Sequence, residues 1–417
     1  MKIAVIGAGI TGIAAAYELA CDGHAVQVFD KAAAAASGDS FATGGVISPS
    51  LINPWTLPDW PTGASTRRLT GSARIKLRAI PSFNELRWLK SWRRTPKAGE
   101  LSSAFNNYQQ LLAWSQSQMH AIAAKHRLEF ERGEGTILLV PTEKDHQALQ
   151  TGLARLKELG IAYKDLAPEQ ARLIEPGLGQ AVALHSGLHF PHDEVGNCRQ
   201  FAMLLRTACM ELGVQFHFNA HVLKAHAARQ HTLEISGCLE QPSFDAVVLC
   251  PGADAIGWAT TNKLRLPVTL VHGYTLSAAL REPLHAPRSA VITMDTGVVF
   301  SRQGIRVRVA GGAEIGGAFR QPNDKTVHGL FRALHHYFPG SANVTTGVQS
   351  WRGARVFTPD CMPVVGATPT PGLWINAGHG ANGWGLAQGC ARILADRIQG
   401  KQSEVDIQPL RPDRFVG

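Results

Sequence analysis

The glycines near the start of the chain have the spacing needed to hold a dinucleotide. Gly7, Gly9 and Gly12 form the pattern G-x-G-x-x-G. Such glycines let the backbone turn tightly and approach a pyrophosphate, and the following helix directs unpaired N–H groups toward the phosphates. Asp30 follows Gly12 by eighteen residues, where a carboxylate can accept hydrogen bonds from ribose hydroxyls. The pattern predicts a site for the ADP part of FAD or NAD and does not by itself separate the two.

The sequence around this loop predicts the elements that position it. Lys2 to Ile6 (KIAVI) is typical of a buried strand, Ile13 to Cys21 of a helix, and Ala25 to Phe29 of a second strand that ends at Asp30. A later apolar strand, Asp245 to Cys250, leads into a proline–glycine turn. This order of strand, glycine loop, helix and strand is the context that a dinucleotide site requires.

A second glycine loop lies near the C-terminus. The strand predicted at Leu373 to Asn376 is followed by Ala377-Gly378-His379-Gly380, and Leu386 to Ile398 has apolar residues at helical spacing. A helix that begins after such a loop presents its positive dipole end to whatever the loop surrounds. The loop is interpreted either as part of a flavin site, where the dipole stabilises the charge of the reduced ring, or as an ordinary structural turn.

Four further stretches occur in a fixed order along the chain: Ser40 to Pro49, Pro191 to Cys198, His272 to Tyr274, and Trp351 to Gly389. Together with the glycine loop they resemble the family of FAD-dependent D-amino-acid oxidases and dehydrogenases, which also includes glycine oxidase and sarcosine oxidase. Within it, the likeness is greatest to the small-subunit type of bacterial D-amino-acid dehydrogenase. The resemblance implies FAD as the cofactor. It also implies non-covalent binding, because Gly353 stands where sarcosine oxidases carry the cysteine that attaches the flavin.

The resemblance and the glycine pattern together assign a set of cofactor-binding residues. The set is Gly7, Gly9, Ile10, Thr11, Gly12, Asp30, Lys31, Ser40, Ala42, Gly44, Gly45, Val46, Val222, Gly252, Gly380, Asn382, Gly383 and Trp384. Gly44 and Gly45 mark a place where the backbone comes close to another group, which is interpreted as the flavin ring. Val222 stands where the family lends a backbone amide to the adenine.

Three residues are candidates for contact with the substrate. Arg355 occupies the position of the family's substrate-binding arginine, and its planar fork suits a carboxylate. The usual Arg-Pro is here Arg355-Val356, and Arg352 is a rival. Tyr274 either adds a hydroxyl above the ring or forms part of the core, and His379 either tunes the charge of the reduced flavin or braces its loop.

The expected reaction is hydride transfer from the substrate Cα to flavin N5. It gives an imino acid that hydrolyses to a keto acid and ammonia, and it needs no dedicated base because the cofactor carries the chemistry. Several alternatives stay open. They are an oxidase that passes electrons to oxygen, an enzyme acting on a secondary amine such as sarcosine, proline or hydroxyproline, and a flavoprotein subunit of a larger complex.

The expected fold class is α/β, with a discontinuous Rossmann-like FAD-binding domain and a substrate domain built on a mixed β-sheet. Residues 1–50, 190–260 and 345–417 are assigned to the first domain, and 51–189 and 261–344 to the second. The seven cysteines are dispersed and contain no C-x-x-C pair. This argues against a disulfide framework and a zinc site and fits a cytoplasmic protein. No apolar stretch is long enough to span a bilayer.

The net charge of +9 is concentrated in one segment. Residues 51–99 contain ten basic and two acidic side chains, interleaved with tryptophan. Such a composition suits docking on an anionic membrane, which would bring a peripheral enzyme near a respiratory electron acceptor at the inner membrane. A solvated basic face is the alternative. No nucleic-acid partner is expected, because the chain has no recognised nucleic-acid-binding motif.

Overall fold

The computed structural model describes residues 1–50, 76–77, 81–94, 102–226, 229–316 and 322–415. The strands in this part of the chain are β1 (Lys2–Ile6), β2 (Ala25–Phe29), β3 (Val46–Ile47), β4 (Lys76–Leu77), β5 (Gly133–Val140), β6 (Lys164–Leu166), β7 (Ser186–Val195), β8 (Gln215–His217), β9 (Val222–His226), β10 (His231–Ile235), β11 (Ser243–Phe244), β12 (Ala246–Leu249), β13 (Thr269–Leu280), β14 (Ala290–Thr293), β15 (Val299–Gln303), β16 (Arg306–Ile315), β17 (Ala342–Asn343), β18 (Gln349–Phe357), β19 (Val364–Ala367) and β20 (Leu373–Ala377). The helices are α1 (Ile10–Cys21), α2 (Phe83–Arg94), α3 (Ser102–His126), α4 (Glu143–Glu158), α5 (Pro168–Ile174), α6 (Cys198–Glu211), α7 (Ala255–Thr261), α8 (Asp324–Tyr337) and α9 (Gly383–Ile398).

The first sheet contains the N-terminal strand at its centre. Its order is β19-β20-β12-β1-β2-β8, and every pair is parallel except β19 with β20. Strand β1 is apolar without alternation because both faces of the sheet are covered. Ile3 and Val5 belong to the core that contains α1, α6 and α9, while Ala4 and Ile6 belong to the core under β9–β11. The carboxyl end of β1 is thereby fixed between two buried layers.

The second sheet is mixed and larger. Its path is β17-β13-β16-β15-β14-β5-β7-β3, with β18 paired to β13, β4 to β16 and β6 to β7. One face carries an apolar core that includes Leu276, Val309 and Phe300 together with Leu330 and Leu334 of α8. The expected α/β class, with one Rossmann-like sheet and one mixed sheet, is confirmed.

The opposite face of the second sheet lies against the loop that leads into β3. Thr275 Oγ1 donates to the Ala42 carbonyl at 2.7 Å, Ser301 Oγ to the Gly44 carbonyl at 3.1 Å, and Arg308 to the Thr43 carbonyl at 3.3 Å. Side chains at alternating positions of β13, β15 and β16 therefore meet backbone from the N-terminal part of the chain. The two sheets are joined along this loop.

One predicted domain boundary, at residue 345, lies just before a strand of the second sheet. Strand β18 lies beyond residue 345 but pairs with β13 over nine residues, Gln349 to Phe357. The division into an FAD-binding domain of residues 1–50, 190–260 and 345–417 and a substrate-binding domain of residues 51–189 and 261–344 remains a proposal. Among the described helices, none combines the length and apolar character needed to cross a bilayer.

Candidate functional site

The glycine loop after β1 is shaped by close packing at two of its glycines. A side chain at Gly7 would collide with the Cys250 carbonyl oxygen, and one at Gly12 with the carbonyl of Gly7. Gly9 is different, since a side chain there would meet only Ser40 Oγ, at 3.4 Å. Its remaining side faces open space, which is the room that a closely approaching pyrophosphate needs.

Helix α1 begins at Ile10, three residues earlier than the sequence pattern indicated. Gly9 is the residue before the first turn and has extended backbone angles, φ −73° and ψ 178°. The Ile10 amide donates to Ser40 Oγ at 3.1 Å. The N-terminal turn of α1 thus opens beside the loop that carries Ser40, and its amides supply the donors that an anion requires.

The Asp30 carboxylate is held by the backbone. Oδ2 accepts from the Ala8 amide at 2.6 Å, and Oδ1 accepts from the Ala32 amide at 2.7 Å. Each carboxylate oxygen has a second lone pair, so both can still accept from ribose hydroxyls. Lys31 points elsewhere and pairs with Asp254 at 2.5 Å on the rim of the same cleft.

Two connected clefts collect most of the predicted cofactor residues. The first encloses about 680 Å³ and includes Gly7, Gly9, Thr11, Asp30, Lys31, Ser40, Val222 and Gly252. The second includes Ile10, Ala42, Gly44, Gly45, Val46, Gly380, Gly383, Trp384, Arg355 and His379. The clefts share Thr11, Asp39, Ser40 and Gly252 and are therefore continuous. Gly12, Asn382 and Tyr274 lie outside both.

These features fit an elongated nucleotide cofactor. The first cleft offers a helix N-terminus, an open glycine and a carboxylate, which suit a pyrophosphate and a ribose. The second encloses about 190 Å³ and is walled by glycines and by the face of the second sheet. In the described part of the chain, no group of three or more His, Cys, Asp or Glu side chains is arranged to hold a metal ion.

The C-terminal glycine loop ends at the second cleft. Gly378 and Gly380 adopt φ of +74° and +56°, which few other residues tolerate. A short 3₁₀ turn, Gly380–Asn382, then leads into α9 at Gly383, three residues before the expected start. Because Gly383 and Trp384 line the cleft, the positive end of the α9 dipole faces it.

His379 lines the same cleft but is held by its own loop. Its Nε2 lies 2.9 Å from Asn376 Oδ1, and the side chain is buried. Burial lowers the pKa of His379 to about 4, so the imidazole is neutral near pH 7. Since Asn376 Oδ1 can only accept, His379 donates from Nε2. This geometry favours the loop-bracing interpretation.

Arg355 and Arg352 point to opposite faces of β18. The guanidinium of Arg355 lies 3.3 Å from the position that a side chain at Gly273 would take, and the residue lines the second cleft. Burial lowers the pKa of Arg355, while attraction to Asp39 opposes that shift. Arg352 lies near His272, where burial and then this arginine lower the histidine pKa to about 4.

Tyr274 belongs to the apolar face of the second sheet. Its hydroxyl donates to Glu314 Oε2 at 2.7 Å and accepts from the Asn323 amide at 3.1 Å. The ring is 2% exposed, and the residue does not line either cleft. The core interpretation of Tyr274 is therefore the one that the geometry favours.

Other residues of the second cleft carried no clear sequence signal. Trp351 lines the cleft and stacks on Phe41 with ring centroids 4.5 Å apart, and the Arg199 guanidinium lies 4.1 Å from the centre of the Phe41 ring. Asp39 lines both clefts. A single aspartate in a polar loop has no spacing pattern, so only the folded chain reveals its position.

The chain is similar over almost its whole length to proteins of one known family. Residues 2–397 match the family model described as DAO, FAD dependent oxidoreductase. The chain is 31% identical to a D-amino acid dehydrogenase of Neisseria meningitidis serogroup C, over 100% of both chains, and 32% identical to one of Cereibacter sphaeroides, over 100% of this chain and 96% of that protein.

Solved structures share the fold at lower identity. Glycine oxidase from Geobacillus kaustophilus superimposes with a TM-score of 0.78 at 23% identity, covering 100% of this chain and 99% of that one. L-proline dehydrogenase from P. horikoshii gives a TM-score of 0.74 at 16% identity, with 100% and 97% covered. At these identities the likeness concerns the fold alone.

Proposed function

The chain belongs to the DAO family of FAD-dependent oxidoreductases, and on that premise we propose that it oxidises the Cα–N bond of a D-amino acid. The support for the substrate class is the identity of 31–32% to D-amino acid dehydrogenases over essentially full length. The observation that carries the proposal for this chain is the position of Arg355. Its guanidinium lies in the same cleft as the glycine loop before α9.

Gly9, Asp30 and Ser40 would hold the ADP part of FAD, and the residues of the second cleft would hold the ring. Non-covalent binding is proposed because Gly353 stands where the sarcosine oxidases that the sequence resembles carry the cysteine that attaches the flavin. When bound, FAD supplies the acceptor for the hydride that leaves the substrate. Arg355 holds the substrate carboxylate through two charge-assisted hydrogen bonds and so fixes the position of Cα. The N-terminus of α9 supplies partial positive charge near the ring.

The substrate proposal is tested by anaerobic reduction of the purified holoprotein with panels of D-amino, L-amino and N-alkyl amino acids. We expect D-amino acids to bleach the visible flavin absorption fastest, with keto acid and ammonia appearing in equal amounts. Readmitting air then separates an oxidase, which recovers its colour at once, from a dehydrogenase, which needs another acceptor. Bleaching by N-alkyl or L-amino acids alone, or by none of the panel, contradicts the proposal.

We also propose that the protein is cytoplasmic and attaches peripherally to an anionic membrane, where it passes electrons to a respiratory acceptor. Most of the basic segment 51–99 lies outside the described residues, but α2 falls within it. Phe83 and Leu86 are 74% and 50% exposed on α2, beside four basic residues. Trp88 Nε1 donates to the Phe357 carbonyl at 2.9 Å, which ties α2 to the strand that carries Arg355. Apolar side chains flanked by basic ones are the pattern of an interfacial helix.

Vesicle sedimentation tests the attachment. We expect binding to vesicles rich in anionic lipid, little binding to neutral ones, and weakening by salt, because each basic residue near such a surface contributes about 1 kcal/mol. The variant Arg93→Gln/Arg94→Gln, at the end of α2, is expected to bind at least tenfold more weakly. Arg281→Gln/Arg302→Gln is the matched control, because it removes two exposed arginines, one directly after β13 and one in β15. Equal binding of all three proteins would indicate that α2 is a solvated face.

A further inference from the structure

Asp39 occupies the junction of the two clefts. It lines both of them, and its Oδ1 accepts from the Ala354 amide at 2.6 Å. The same oxygen lies 3.4 Å from the position that a side chain at Gly353 would take. The carboxylate therefore fills the space that the absent side chain leaves above Gly353.

The guanidinium of Arg355 fills the equivalent space on the neighbouring strand. It lies 3.3 Å from the side-chain position of Gly273, and Gly273 is the cross-strand partner of Gly353. Side-chain positions of such a pair are about 5 Å apart. Two facing glycines thus create one recess, which holds a carboxylate over one residue and a guanidinium over the other.

The two groups attract each other without direct contact. Both lie in the described part of the chain, and no hydrogen bond between them is present, yet the attraction favours the charged form of each. The other charges facing Asp39 are Lys31, after β2, and Asp254, after β12. These two are paired with each other at 2.5 Å, but their effects on Asp39 do not cancel, because Asp254 raises the pKa of Asp39 more than Lys31 lowers it. Among the opposite charges that act on Asp39, Arg355 is the strongest.

We propose that Asp39 is a positioning residue that acts as the resident counter-charge of Arg355 and sets its affinity for the substrate carboxylate. This inference rests on the proposed function, in which Arg355 binds that carboxylate. In the empty cleft Asp39 keeps the buried guanidinium compensated. When substrate binds, two carboxylates share one guanidinium, and their repulsion lowers affinity and speeds release of the product acid.

The pH dependence of binding follows from this arrangement. Burial raises the pKa of Asp39, and the hydrogen bond from Ala354 opposes that rise. As pH falls through this pKa, Asp39 becomes neutral and no longer repels a bound carboxylate. An acid ligand that stays ionised should therefore bind more tightly at lower pH. Protonation of His379, which lines the same cleft and has its pKa lowered by burial to about 4, acts in the same direction. The comparison with Asp39→Asn separates the two effects.

The test uses the FAD-loaded protein and pyruvate, a keto acid that does not reduce flavin, with calorimetric titration across a pH series. Asp39→Asn keeps an oxygen for the Ala354 amide but loses the charge. We expect it to bind pyruvate about tenfold more tightly than the wild type at neutral pH. This is the effect expected when the repulsion between two carboxylates several ångströms apart in a partly buried cleft, those of Asp39 and pyruvate, is removed. The affinity of Asp39→Asn for pyruvate should stay constant over the pH range in which the affinity of the wild type changes. Asp254→Asn removes a carboxylate that lines the first cleft but not the second, which contains Arg355. It is the matched control and should change affinity much less than Asp39→Asn does.

Each outcome separates this inference from the proposal on which it rests. Equal or weaker pyruvate binding by Asp39→Asn, with Arg355→Gln still abolishing binding, overturns the role of Asp39 and leaves the proposed function standing. Pyruvate binding that survives Arg355→Gln overturns both. If Asp39→Asn does not take up FAD, the pH series on the wild type alone decides: affinity that does not rise as pH falls contradicts the inference.

Discussion

Replacing Arg355 by alanine is expected to lower kcat/KM about a thousandfold while FAD remains bound. The guanidinium lies in the second cleft, apart from Gly9 and Asp30 in the first, so the contacts proposed for the ADP part of FAD should not depend on it. Removing one partner of a buried, hydrogen-bonded charge pair costs about 4 kcal/mol, and each 1.4 kcal/mol is roughly tenfold. Steady-state kinetics with the best D-amino acid, together with the flavin content of the purified variant, measures both parts.

Arg352→Ala is the matched control, because it removes the same side chain from the other face of β18. It should change kcat/KM only a few-fold. Arg355→Lys keeps the charge but loses the planar fork, so an intermediate loss is expected. A larger effect at Arg352 than at Arg355 would transfer the carboxylate-binding role to the rival arginine.

The N-terminal half of the site was predictable because its signals are local. Strands β1 and β2 have the bounds that the sequence indicated. Helices α1 and α9 each begin three residues earlier than expected, at Ile10 and Gly383. Apolar periodicity marks the middle of a helix, whereas its first turn is fixed by how the glycine loop packs.

The substrate side was less predictable because it depends on how distant strands pair. His272, Gly273 and Tyr274 are consecutive, and the tyrosine is the obvious chemical candidate among them. The register of β13 against β16 shifts between His272 and Tyr274, and the residue that lines the cleft is Gly273. A one-residue change of register exchanges the two faces of a strand. No local sequence pattern indicates which face of β13 lines the cleft. The same holds for Asp39, because its place at the junction of the clefts depends on its contact with β18.

Replacing Gly9 by valine is expected to give a folded protein that binds FAD at least a hundredfold more weakly. The backbone of Gly9 is extended, so a larger residue introduces no conformational strain. Its only near neighbour would be Ser40 Oγ at 3.4 Å, an ordinary contact. The cost should therefore appear only when a pyrophosphate approaches the backbone, where the new methyl groups take its place.

Titration of the apoprotein with FAD, followed by quenching of flavin fluorescence, measures the affinity, and far-ultraviolet circular dichroism confirms folding. Gly329→Val in α8, where a side chain meets nothing within 4 Å, should keep normal affinity. Gly7→Val provides the contrast, because its side chain would collide with the Cys250 carbonyl and destabilise the fold itself. If Gly9→Val binds FAD as the wild type does, the pyrophosphate does not pass over Gly9. The ADP part would then have to lie along another wall of the first cleft, and the roles inferred for Ser40 and Asp30 would fall with it.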